Sequence, residues 1–285
     1  MPYCGRDFSD DELAWIKKLL AEQPQLNRAQ LSRALCRHLG WYKADGELKE
    51  MSCRVAMLRM HADGLLSLPE PQNGNGNGRV YTRSTPATDP DLPIDLPVEQ
   101  LSDLRLETVV DRRTSHLWNE YIQRYHYLGY QPLPGAQMRY LATAQGRILA
   151  LLGFGAAAWK VAPRDRWIGW SAGQRRERLH LIVNNARFLI LPWITCRNLA
   201  SKLLAMAARR IQDDWASRYG YRPVLLETFV ESQRFTGTCY RAANWTHVGQ
   251  TQGRGKLDSN HQAQLPVKNI WLYPLEKRFK TSLCS

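Results

Sequence analysis

The sequence predicts an α+β protein in two parts: a small helical domain over residues 1–68, a linker over 69–97, and a larger mixed α and β domain over 98–285. Three observations predict this. Apolar residues recur at helical spacing through the first seventy positions. The stretch PEPQNGNGNGRVYTRSTPATDPDLPIDLP, Pro69 to Pro97, has no periodicity and is crowded with Gly, Asn and Pro. Beyond it, apolar runs of strand length alternate with helical patterns. With 285 residues, 44% of them hydrophobic, the chain can bury a sizeable core.

In the first domain, DDELAWIKKLLAEQ (Asp10 to Gln23) opens with acidic residues that suit a helix N-terminus and spaces Leu13, Ile16, Leu19 and Leu20 on one face; Pro24 stops it. NRAQLSRALCRHLG begins at a capping Asn27, aligns Leu31, Leu35 and Leu39, and ends at Gly40. The third pattern, ELKEMSCRVAMLRMHADG, is expected to turn Met51, Val55, Leu58 and Ala62 inward and Lys49, Ser52, Arg59 and His61 outward. LLSLP then reads as a wing strand. Three short helices, a tight second connection and a trailing strand make a winged helix-turn-helix, whose third helix would meet DNA through Lys49, Ser52, Arg54 and Arg59. The competing reading is a three-helix cap packed on the larger domain.

The linker joins a flexible NGNGNG tract to a stiffer Pro-rich half. In the large domain, LWNEYIQRYHYLGY is an amphipathic helix ending at Gly129, and two strands meet at a turn at Gln145-Gly146. RLHLIVNNARFLILP supplies further strand, broken near Asn184-Asn185, and NLASKLLAMAARRIQDDWASRYG is a long helix from Asn198 to Gly220. PVLLETFVE is a buried strand, RFTGTCYRAANW a short helix, and THVGQTQGRG and IWLYPL terminal extended segments. The resulting order is helix, hairpin, strand, long helix, strand, short helix, strand.

A net charge of +13 favours polyanions, DNA first among them. Residues 1–70 hold ten basic and ten acidic side chains, so the surplus lies beyond them. In RDRWIGWSAGQRRER, Arg164, Arg166, Arg175, Arg176 and Arg178 interleave with Trp, a mixture suited to phosphate contact and base stacking. No apolar run approaches the roughly 20 residues of a membrane helix, and the start lacks a signal-peptide core, so a cytoplasmic protein without membrane contact is expected. The six cysteines are scattered without CxxC or zinc spacing, which predicts reduced thiols and no zinc site.

Candidate site residues follow from alternation. In LLETFV, Glu227 shares a face with Leu225 and Phe229, so an apolar face gains a carboxylate that needs a partner. Arg187, Arg241, a divalent metal or a substrate group can answer it, which makes Glu227 a candidate general base, a metal ligand or a plain ion-pair partner. A cleft is expected between Glu227 and the Tyr240 to Trp245 helix, with Asn184, Asn185 and Arg187 on its rim and Asn244 and Trp245 in its wall. Tyr240 is a candidate nucleophile or stacking group and His126 a candidate acid or base. Whether the chain is an enzyme stays open.

The element order resembles the GCN5-related acetyltransferase fold, in which a strand, a long helix and a following strand frame coenzyme A. That resemblance implies a Gly-rich turn before the long helix. Here CRNLASK has none, which weighs against acetyl-CoA and leaves Arg197 and Lys202 to meet another anion. At finer grain, RYHYLGY, DRWIGWS, NNARFLILPW, NLAS, LLETFV and CYRAANW, in this order, resemble the DruA family of Druantia anti-phage systems, with transposon-associated relatives. The resemblance implies a prokaryotic role in phage defence or mobile DNA, and together with the charge and the two-domain layout it leads to the expectation of a DNA-binding protein beside companion proteins. The alternatives are a divergent acyltransferase, or a strand-cleaving or strand-transfer enzyme using Glu227 or Tyr240.

Overall fold

The computed structural model describes residues 1–72, 84–253 and 265–285. The NGNGNG tract and the end of THVGQTQGRG lie outside the described residues. The chain divides into two units, Met1–Arg79 and Val80–Ser285.

The first unit opens with a short hairpin, β1 (Pro2–Tyr3) and β2 (Arg6–Asp7), followed by α1 (Asp10–Glu22), α2 (Arg28–His38) and α3 (Glu50–Ala62). Capping boxes start the first two helices: Ser9 with Glu12, and Asn27 with Gln30. Leu13, Ile16, Leu31, Leu35, Cys53, Met57 and Met60 form the core. The third helix is turned from its expected facing. Cys53, Ala56, Met57 and Met60 are buried, whereas Met51, at 65% exposure, Val55 and Leu58 face outward, as does Ala62. The expected wing is not a strand either, since residues 65–68 run irregularly and bury Leu66 and Leu68. Nor is the second connection tight: it spans residues 39–49 and contains a bridge between Tyr42 and Leu48. The unit is a three-helix cluster with a short hairpin.

Part of the expected linker belongs to the second unit. A 3-10 turn (Pro86–Thr88) and β3 (Ile94–Asp95) precede β4 (Arg105–Thr108) and α4 (Arg112–Tyr125). The buried carboxylate of Glu120 accepts from the Thr88 hydroxyl at 2.7 Å and from the Thr85 N–H, while Arg124 pairs with Asp89 at 2.8 Å. Residues 85–89 are thus laced onto α4 by polar contacts that leave no hydrophobic period.

The hairpin of β5 (Gln137–Ala144) and β6 (Arg147–Ala156) follows, with Gln145 and Gly146 both at positive φ, as a two-residue hairpin turn requires. Next come α5 (Ala162–Ile168), α6 (Ala172–Arg178), β7 (Ile182–Ile190), β8 (Ile194–Thr195), α7 (Leu199–Tyr219), β9 (Leu225–Glu231), α8 (Thr238–Ala242), β10 (Thr246–Gln250), β11 (Lys268–Pro274) and α9 (Phe279–Cys284). Among the described residues, the main sheet has seven strands in the order β10-β11-β9-β7-β6-β5-β4. Every neighbouring pair is antiparallel except β7 and β9, which run parallel because α7 carries the chain back between them. Their pairing covers only Ile182–Asn184 against Leu225–Glu227.

Helices cover both faces. On the first face, Tyr140 donates to Asp214 of α7 at 2.7 Å. On the second, Arg139 donates to Asn119 and Ser115 of α4, both at 2.9 Å. A satellite core of Ile182, Leu225, Ile270, Leu272, Phe279 and Leu283 lies under α5 and α9 on the second face. This is the mixed α+β architecture that the element order predicts. No helix among the described residues is long and apolar enough to cross a membrane.

Candidate functional site

Strand alternation sends Leu225, Glu227 and Phe229 to the second face, and Leu226, Thr228 and Val230 to the first. Glu227 and Arg164 are both 0% exposed and paired at 2.8 Å. The other Glu227 oxygen accepts the Ala158 N–H at 2.8 Å. Arg164 also donates to the Ala158 carbonyl, and to Asp165 at 2.8 and 2.9 Å; Arg175 reaches the other Asp165 oxygen at 3.3 Å. Burial pushes the Glu227 carboxyl up, and Arg164 and the Ala158 N–H pull it back. The buried carboxylate has its partner, but that partner is Arg164 and neither Arg187 nor Arg241. Arg164, placed among the DNA contacts by sequence, is spent inside the fold. Among the described residues, no three His, Cys, Asp or Glu side chains converge as metal ligands, and both Glu227 oxygens are taken.

Tyr240 lies across the sheet. Its hydroxyl donates to the Asn185 side-chain oxygen at 2.8 Å and lies 3.4 Å from Thr228, which donates to the Asn185 carbonyl. Burial raises the Tyr240 hydroxyl well above the usual phenol range, so it stays protonated. Asn185 donates in turn to the Gly153 and Arg187 carbonyls, clamping a bulge where β7 gains a residue against β6. Asn184 and Asn185 therefore bend the strand without ending it. Trp245 packs edge-on against Tyr240 at 5.1 Å, and Asn244 turns the chain at positive φ. The single cleft expected from Glu227 and Tyr240 is not built, because the sheet stands between them.

The bulge leaves a different cluster on the second face. Arg187 lies opposite Gly153, where an added Cβ would come within 2.9 Å of Trp118 and 3.2 Å of Arg187. Only glycine lets those side chains lie together. The Arg187 guanidinium donates to the Ala186 carbonyl at 2.8 Å, and its Nε is buried without a partner. The side-chain oxygen of Asn184 is likewise buried and unpartnered. His126, at the end of α4, accepts the Leu128 N–H on Nδ1 at 3.2 Å; burial, then Arg187, push its pKa down to about 4. The Tyr127 ring stacks on His126 at 4.9 Å and touches Phe235 at 5.5 Å, with Arg234 over it at 5.1 Å. Arg234 was not singled out in the sequence, nor were Tyr127 and Phe235. A basic residue three positions past the strand-end Glu231 was the available signal.

The remaining basic residues form surface. Arg166 and Arg176 are exposed, and Arg175 and Arg178 are half-buried. Arg175 lies 5.7 Å over Trp159, which is 50% exposed. In the first unit, Lys49 and Arg59 are exposed, Ser52 is half-buried, and Arg54 pairs with Glu50 at 3.2 Å. At the start of α7, a pocket of about 320 Å³ is lined by residues that include Asn198, Ser201, Lys202, Asn244 and Tyr273. Asn198 makes no side-chain cap there, so the helix N-terminus opens beside Lys202; Arg197 precedes it. The turn CRNLASK carries no glycine, so the residues fit the diphosphate of coenzyme A less well than a Gly-rich loop would.

A family model described as Druantia protein DruA matches residues 59–265. Comparison with curated proteins finds no match. Among solved structures, the chain is similar to a polyamine N-acetyltransferase of Drosophila melanogaster, at 13% identity and TM-score 0.38, covering 60% of this chain and 100% of that one. It is also similar to an acetyltransferase of the GNAT family from Streptococcus pneumoniae, at 13% identity and TM-score 0.39, with coverage of 60% and 100%. A Bacillus subtilis acetyltransferase in complex with CoA aligns at 9% identity and TM-score 0.36, with coverage of 61% and 100%.

Proposed function

This chain belongs to the DruA family of Druantia anti-phage defence proteins, and from that premise we propose that its part in defence is to grip DNA. The observation that carries the proposal is α6: a surface helix that carries the exposed Arg176, the half-buried Arg178, and the Arg175 that stacks over Trp159. On a chain of net charge +13, that surface suits phosphate contact combined with stacking. Glu227 and Tyr240 act as internal braces in this reading, which makes binding, not strand cleavage by either residue, the activity. The exposed face of α3, with Met51, Val55, Leu58 and Arg59, is the surface the first unit offers to a duplex. DNA in phage-defence or transposition settings and companion defence proteins are the proposed partners. Mobility-shift assays with duplex, single-stranded and branched DNA across a salt series test the proposal, which fails if none of the three binds.

A second reading, acyl transfer, is favoured by one observation: the uncapped start of α7 opening on the pocket beside Lys202. Saturable thermal stabilisation by acetyl-CoA would support it, and an unchanged melting curve would remove it.

A further inference from the structure

We infer that the corner formed by the end of α4, the bulge of β7 and the turn after β9 is a binding site for one nucleotide unit of a single-stranded nucleic acid, with phosphate on Arg187 and base on Tyr127 and Phe235. The inference rests on the DNA-binding reading and adds a place and a strand type to it.

The charge at this corner is uncompensated. Arg187 is half-buried, yet among the described residues its guanidinium meets only the Ala186 carbonyl, and its Nε has no acceptor. Glu231, the carboxylate that acts on Tyr127, is held by Arg234 at 3.2 Å. His126 is neutral near neutral pH and adds no charge to the corner. An unpaired guanidinium held partly out of water is costly unless an anion completes it, and a phosphodiester supplies one charge and acceptor oxygens of the right geometry. Burial already weakens the hold of Arg187 on its proton, which an arriving anion would reverse.

The apolar side of the corner supplies the strand type. Tyr127 is 39% and Phe235 48% exposed, their rings meet at 5.5 Å, and Arg234 lies over Tyr127. Leu128 adds exposed apolar surface beside them. Aromatic faces next to cations accept unpaired bases, whose π-faces are free; in a duplex those faces are covered by neighbouring pairs. Asn184, on the same sheet face, is about 10 Å along the strand from Arg187 at the rise of extended chain, and its unpartnered oxygen can take a hydrogen bond from an adjoining base or sugar.

The test is fluorescence anisotropy of the full chain with labelled oligothymidylate and with a duplex, for the parent, Arg187→Gln and Phe235→Ala, each first checked for an unchanged thermal melt. Affinity for the single strand is expected to fall about tenfold in either variant, with duplex affinity nearly unchanged. Phe235 is half-exposed, so its variant keeps the test alive if Arg187→Gln does not fold. Single-strand affinity that stays at the parent level in the folded variants overturns this site while leaving the DNA-binding reading in place. A parent that binds neither strand overturns both. Thymidine 5′-monophosphate is run as competitor: equal affinity for the free nucleotide and the oligomer would overturn assignment to a strand, and weak competition supports it.

Discussion

Glu227 and Tyr240, on a strand and the helix that follows it, lie on opposite faces of the sheet. Glu227 is sealed on the second face by Arg164 and the Ala158 N–H, whereas Tyr240 is sealed on the first by Asn185 and Thr228. Two polar residues that a cleft would have brought together each anchor a separate covering layer.

The Glu227 anchor predicts a stability effect. Glu227→Gln leaves Arg164 buried without its counter-charge and is expected to cost about 3–5 kcal/mol in chemical denaturation, with DNA affinity of the folded fraction retained. The double variant with Arg164→Met should be less destabilised than Glu227→Gln alone. A Glu227→Gln protein with parental stability and abolished defence would reassign the residue to chemistry.

Tyr240→Phe removes one hydroxyl and strands the Asn185 side-chain oxygen. The expected loss is about 1–3 kcal/mol without a change in DNA affinity, read by urea titration and anisotropy together.

His126 sets a pH window. Its folded pKa of about 4 lies below its ordinary value of 6.5, so between those values the unfolded chain binds more protons than the folded one. The stabilisation that keeps His126 neutral is therefore full above about pH 6.5 and is lost progressively as pH falls toward 4. Comparing melting temperature against pH in His126→Gln and the parent should show a shallower decline in the variant across that window.

How much of this was legible in the sequence depends on the range of the contacts. Capping boxes at Ser9 and Asn27, the Gln145-Gly146 turn and the stop at Gly220 are local, and residue type alone marks them. The need of Glu227 for a partner was legible from alternation, but the identity of Arg164 was not, since it depends on how α5 folds back over β9. α3 carries two apolar stripes, Met51-Val55-Leu58 and Cys53-Ala56-Met57-Met60, and only packing against α1 and α2 selects between them. Residues 85–89 read as linker because hydrogen bonds to Glu120 and Arg124 leave no apolar pattern.

The basic surface of α5 and α6 should act without regard to DNA sequence. Reversing Arg166 and Arg178 to Glu together is expected to weaken binding to all DNA sequences alike and to flatten its salt dependence by about one slope unit per lost phosphate contact.

The central claim, that this DruA-family chain grips DNA through a basic surface, is met most directly by measuring the affinity of the full chain for DNA across a salt series. The account predicts saturable binding whose log affinity falls linearly with log salt, by about 0.9 per phosphate neutralised on a duplex. Absence of binding at low salt, or an affinity indifferent to salt, would contradict it.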